Sequence, residues 1–139
     1  MTRFGGAFVI AFDTNVLVRV LLGDDPVQTA VAERHFIEHT RGEGVLVGHV
    51  ALAELAWVMD AAYGLSPEQI RERLASLVRT RGVFVPELDV VLEALRRDAA
   101  GPANLSDYLI LLGARSQGAA PLLTFDKRLA REPDAKLAQ

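Results

Sequence analysis

An α/β fold built on a parallel sheet is predicted by three observations. Short unbroken apolar runs recur along the chain, Val9 to Phe12 and Val83 to Val85 among them. Such runs suit strands buried on both faces, as in a parallel sheet covered by helices. Between them lie longer stretches with apolar residues at helical spacing. Glycine and proline punctuate the joints. Strands alternating with helices imply βαβ units with right-handed crossovers and helices on both faces. At 139 residues the natural reading is one domain spanning 1–139.

The elements follow in order. Val9 to Phe12 is strand one, and Asn15 to Leu22 an apolar helix broken by Gly23-Asp24-Asp25-Pro26. Pro26 suits the first turn of a second helix reaching about Thr40, with Val27, Val31, Phe36 and Ile37 able to face inward. Val45 to Val50 reads as strand two, and Ala51 to Tyr63 as a helix stopped by Gly64. Ser66-Pro67-Glu68-Gln69 is the sharpest local signal: serine caps, proline takes the first helical position, and Gln69 can complete a capping box. That helix carries Ile70, Leu74, Leu77 and Val78 inward and ends near Gly82. Strand three is Val83 to Val85, followed by a helix from Leu88 to Ala99. Asn104 can cap a helix from Leu105 to Gln117; Pro121 to Thr124 is strand four. A short helix starts at Lys127, and the polar tail over 132–139 is expected to be loosely ordered.

Composition narrows the function. Half the residues are apolar, and mean hydropathy is positive. A covered sheet absorbs much of this, and a subunit interface could take the rest. The absence of cysteine excludes disulfides and thiolate metal sites, and fits a cytoplasmic location. His35, His39 and His49 show no metal-ligand pattern and read as surface or core residues. No stretch is long enough to span a bilayer. Arg3 and the run Ala7 to Phe12 faintly resemble a signal peptide, but Asp13 ends the run and no small-residue cleavage site follows. The net charge of −3 runs mildly against nucleic-acid binding, although bound cations would offset it locally.

Four carboxylates carry the functional signal: Asp13, Glu54, Asp107 and Asp126. Asp13 and Asp126 follow strands; Glu54 and Asp107 fall in first turns of expected helices. In a parallel α/β sheet these places share the carboxyl edge, where ligands bind. Each has a bland reading as a cap or as an acid complementing a helix dipole. Together on one rim they would repel one another unless cations neutralised them. Paired divalent metals clamping a phosphodiester are the commonest use of such a cluster. Glu87 also follows a strand and is the nearest additional candidate. Asp24, Asp25, Asp60 and Asp98 need only surface roles.

The residues around these acids carry a resemblance. Ile10 to Arg19 resembles the opening motif of PIN domains, and Leu52 to Val58 their second acidic motif. Ser106 to Ile110 is similar to the third, and Leu123 to Lys127 to the fourth. Order and separations match over nearly the whole chain, whose length suits the VapC-type toxins. The resemblance implies a three-layer α/β/α Rossmann-like fold with a central parallel sheet. It also implies Mg²⁺- or Mn²⁺-dependent cleavage of RNA, a homodimer, and a small antitoxin whose C-terminal part occupies the active-site groove. Asp13, Glu54, Asp107 and Asp126 match the acidic quartet, and Thr14, Asn15 and Thr124 match polar positions beside it. Relatives often read Ala-Asp-Phe before the third motif's aspartate, whereas this chain has Ala103-Asn104-Leu105. One neighbouring charge is thereby lost, which bears on metal affinity and substrate handling.

The implied chemistry is in-line hydrolysis. Asp13 and Asp107 would hold the principal ion, with Glu54 and Asp126 completing a second site or orienting water. Arg19, Lys127, Arg128 and Arg131 are candidates to hold the RNA backbone. Two rivals stand beside this reading. One is phosphoryl transfer through an aspartyl phosphate on Asp13, which lacks the second aspartate two residues on, where Asn15 stands. The other is a non-catalytic PIN-like module that binds a partner protein.

Overall fold

A computed structural model describes residues 9–139. Arg3 and the start of the first apolar run lie outside the described residues. The chain divides into two compact units, one ending at Pro86 and the other running from Glu87 to Gln139.

The first unit contains a three-stranded parallel sheet of β1 (Ile10–Ala11), β2 (Val45–Leu46) and β3 (Val83–Phe84), in the order β1-β2-β3. Ile10 pairs with Val45, and Val45 with Val83. Val45 and Val47 are fully buried, as an apolar run in the middle of a parallel sheet requires. Among the described residues four helices complete this unit: α1 (Thr14–Leu22), α2 (Pro26–Arg41), α3 (His49–Ala61) and α4 (Pro67–Val78). Helix α1 packs against α2 and α3, and α3 against α4.

The capping reading of α4 holds in full. The Gln69 amide donates to Ser66 Oγ at 3.1 Å, and the Ser66 amide donates to Gln69 Oε1 at 2.9 Å. Ile70, Leu74, Leu77 and Val78 are buried as the spacing predicts. Pro26 opens α2 behind the Asp25 cap. The inward face of α2 differs from expectation. Only Ala32 of this helix is buried, while Val27, Val31 and Ile37 are exposed. Phe36 turns in and meets the ring of Phe12 edge-on at 6.0 Å.

Strand two is shorter than its apolar run. Gly48, in an extended conformation, caps α3, so His49 and Val50 are helical. Periodicity alone cannot show where an apolar run changes from strand to helix. The His49 ring is anchored to the Pro86 carbonyl.

The second unit contains α5 (Leu88–Ala100), α6 (Leu105–Ser116), β4 (Leu122–Thr124), a 3₁₀ turn (Leu129–Arg131) and β5 (Ala135–Leu137). Helices α5 and α6 pack together, burying Val91, Ala94, Tyr108 and Leu111. The expectation of a loosely ordered tail over 132–139 is overturned. Residues 135–137 form β5, which pairs in parallel with β4, Leu123 opposite Lys136. The segment before it is fixed by polar contacts: Glu132 accepts from the Tyr108 hydroxyl at 2.6 Å, and Asp134 pairs with Arg115 at 2.7 Å. These partners are distant in sequence, so a polar composition concealed them.

Candidate functional site

Asp13 follows β1 and caps α1. Its Oδ1 accepts from the Thr14 amide at 2.7 Å. The side chain is exposed, whereas Thr14 is buried beneath it. The sequence folds this way because the apolar Ile10 to Phe12 run ends in a short polar residue able to start a helix. Asp13, Asn15 and Arg19 line one groove of about 580 Å³, whose other walls are largely apolar.

Arg19 has a structural engagement in this groove. Its guanidinium pairs with Asp24 at 2.8 Å and donates to Gln28 at 2.8 Å. The Tyr63 hydroxyl also donates to Asp24, at 2.6 Å. That bond, with the nearby Arg19 charge, holds the Asp24 carboxyl below its ordinary range.

Glu54 lies in the second turn of α3, not the first, because α3 begins at His49. It is exposed, and among the described residues it has no hydrogen bond or ion pair. Local structure therefore supplies no capping role for it.

In the second unit, Asn104 and Asp107 form a reciprocal capping box at the start of α6. The Asp107 amide donates to Asn104 Oδ1 at 3.1 Å, and the Asn104 amide donates to Asp107 Oδ2 at 3.2 Å. Asp126 sits in the turn after β4. Its amide donates to Thr124 Oγ1 at 3.0 Å, while its Oδ1 accepts from the Arg128 amide at 2.8 Å. A second, longer bond comes from the Leu129 amide. These two backbone donors hold the Asp126 carboxyl below its ordinary range. Arg128 approaches the other oxygen of Asp126 at 3.8 Å.

Glu87, the additional candidate, caps α5 without a side-chain bond. It is the one non-glycine residue at positive φ among the described residues, at 47°.

Capping and turn bonds thus account for the placement of Asp13, Asp107 and Asp126. Among the described residues, Asp13 Oδ2 and Asp107 Oδ1 accept no capping bond, so each cap leaves an oxygen available. Hard oxygen donors of this type suit Mg²⁺ and Mn²⁺ rather than soft ions. The donor chemistry of the four carboxylates therefore fits a divalent ion.

One grouping was missed by sequence reasoning. Among the described residues, His35, Glu38 and His39 have ligand-type atoms that all lie within 4.8 Å of one another. The spacing of four between the histidines, inside a stretch already read as helical, was the available signal.

The PIN domain family matches residues 10–134. No curated protein matches the chain. The chain belongs to the PIN-domain family, and its α/β architecture with parallel strands is the one that family defines. PIN domains are in general metal-dependent nucleases that act on nucleic acid. No helix among the described residues is long and apolar enough to cross a membrane.

Proposed function

We propose that this protein is a Mg²⁺- or Mn²⁺-dependent endoribonuclease of the VapC toxin type. The observation that carries the proposal is the presence of all four acidic motifs, in order, inside the family match over 10–134. Glu54 supports it, being exposed and unpaired among the described residues, with no capping task in α3.

In this reading the two units act as one PIN domain. Asp13 and Asp107 would hold the principal ion, with Glu54 and Asp126 completing a second site or orienting water. A bound divalent ion supplies positive charge and a more acidic water for in-line attack at phosphorus. The chain's own contribution is positioning. The Thr14 amide fixes Asp13, Asn104 fixes Asp107, and the Arg128 and Leu129 amides keep Asp126 ionised and aimed. Asn15 and Thr124 shape the surroundings of Asp13 and Asp126. Lys127 and Arg131 are surface cations suited to the RNA backbone. Arg19 contributes through its hold on Asp24 and Gln28 as well as by charge.

The proposed setting is a cytoplasmic homodimer restrained by a cognate antitoxin. An anionic groove attracts arginine, whose guanidinium can engage two carboxylate oxygens at once. An antitoxin that inserts such a residue among the four acids would inhibit in competition with the metal.

A second reading, a non-catalytic PIN-like binding module, is favoured by Asn104. This residue stands where relatives often carry an acid, and its side chain is committed to the α6 cap.

The deciding experiment is cleavage of single-stranded RNA by the purified chain with Mg²⁺ or Mn²⁺. Activity should vanish with chelator and in Asp13→Asn and Asp107→Asn. Asparagine keeps a capping oxygen at nearly constant volume, so both variants should fold. Metal-dependent cleavage that survives in both variants would remove the site assignment; a wild-type chain inert with both ions would favour the binding module.

A further inference from the structure

We propose that His35, Glu38 and His39 form a site for a divalent transition ion of the Zn²⁺ or Ni²⁺ class on α2, with a ligand set distinct from the carboxylate quartet, although His35 lines the same groove as Asp13. The two histidines are one helical turn apart, so their side chains rise from the same face. Their rings are stacked, with centroids 5.8 Å apart and planes within 4° of parallel. Glu38 adjoins them, and all three ligand-type atoms fall within 4.8 Å of one another.

Around a tetrahedral zinc ion with bonds near 2.0–2.1 Å, ligand atoms stand roughly 3.3 Å apart. The three ligand-type atoms lie within 4.8 Å of one another, and the parallel rings would have to rotate to converge on one ion at that spacing.

Three further features favour a cation here. First, none of the three side chains has a hydrogen bond or ion pair among the described residues. His49 differs in this, being held by the Pro86 carbonyl. Second, the triad lies toward the carboxyl end of α2, with His39 in its last turn, where the helix dipole favours positive charge. Third, two imidazoles and one carboxylate select zinc, nickel or copper, whereas Mg²⁺ prefers oxygen donors and keeps its water. Three protein ligands leave a position for water or an outside donor.

The test uses the tag-free full chain, titrated with Zn²⁺ and with Ni²⁺ by calorimetry in the presence of excess Mg²⁺. One equivalent should bind, and the ring signals of His35 and His39 should move while that of His49 stays. His35→Ala and His39→Ala should each weaken binding by about tenfold or more, the loss that removing even a supporting partner causes at such sites. Both lie at the helix surface, where alanine favours the helix. Glu38→Gln should also weaken binding, and Asp13→Asn should leave it unchanged. Absence of binding in wild type would overturn the proposal. So would undiminished binding in the two alanine variants or in Glu38→Gln, or loss of binding in Asp13→Asn, which would place the ion at the carboxylates.

Discussion

The buried hydroxyl of Tyr108 donates to Glu132 Oε1 at 2.6 Å, joining α6 to the segment that leads into β5. Arg97 stands 3.6 Å from the other oxygen of Glu132 and 3.6 Å from Asp134. Gly101 lies so close to this phenol that an added Cβ would meet the oxygen at 1.9 Å. Tyr108→Phe should therefore lower stability by about 1.5–3 kcal/mol, the usual worth of a hydrogen bond to a charged group. Urea denaturation measures it, and an unchanged midpoint would show that Arg97 alone holds Glu132.

Asp24 provides a pH test. Its carboxyl is lowered from 3.8, first by the Tyr63 hydroxyl and also by Arg19. A folded-state value below the unfolded one means that the contribution is complete above 3.8 and is lost as pH falls through the lowered value. In Tyr63→Phe, the Asp24 titration followed by NMR should move back up toward 3.8. The stability gap between wild type and Tyr63→Phe should narrow as the solution is acidified through that range. A gap that persists undiminished would assign the effect of Tyr63 to packing.

Metal linkage tests the quartet without an activity assay. An ion that binds only the folded state stabilises by ~2.7 kcal/mol at a hundredfold excess over its dissociation constant. Mn²⁺ or Mg²⁺ should raise the melting temperature of wild type more than that of Asp13→Asn. Equal shifts would mean that the ions act elsewhere.

Asn104→Asp separates cap from site. Asparagine and aspartate cap about equally well, so helix stability should hardly change. If the absent charge matters, Mn²⁺ should bind more tightly or RNA turnover should rise. No change in either would confine Asn104 to the α6 cap.

Local grammar made much of this chain readable. The Ser66–Gln69 box, Pro26 at the start of α2 and the buried face of α4 all appear as their spacing requires. The Asn104–Asp107 cap was equally local. What escaped depended on distant partners or on a change of period. Glu132 and Asp134 are ordered by Tyr108, Arg97 and Arg115, partners 19 to 37 positions earlier in the numbering, which no window around the tail contains. His49 and Val50 sit in an apolar run whose helical part begins at an unremarkable glycine. The four acids were legible as types at motif positions. Thr14 and Thr124 were legible as polar neighbours, but the bonds made by the Thr14 amide, the Thr124 hydroxyl and the Arg128 amide were not, because each depends on the local turn conformation.

In the proposed site, the caps on Asp13, Asp107 and Asp126 would bear on the kinetics and selectivity of ion capture. Three of the four proposed ligands are already held by backbone or cap bonds, so an arriving ion need not freeze them. Immobilising a rotamer-rich side chain costs about 0.5–1.5 kcal/mol. In the proposed site that cost falls chiefly on Glu54, the longest of the four and the one without a partner among the described residues. Glu54 is then the adjustable arm of an otherwise stiff set. Shortening it in Glu54→Asp should discriminate between Mg²⁺ and the larger Mn²⁺ more sharply than the same change of reach at any of the three tethered acids.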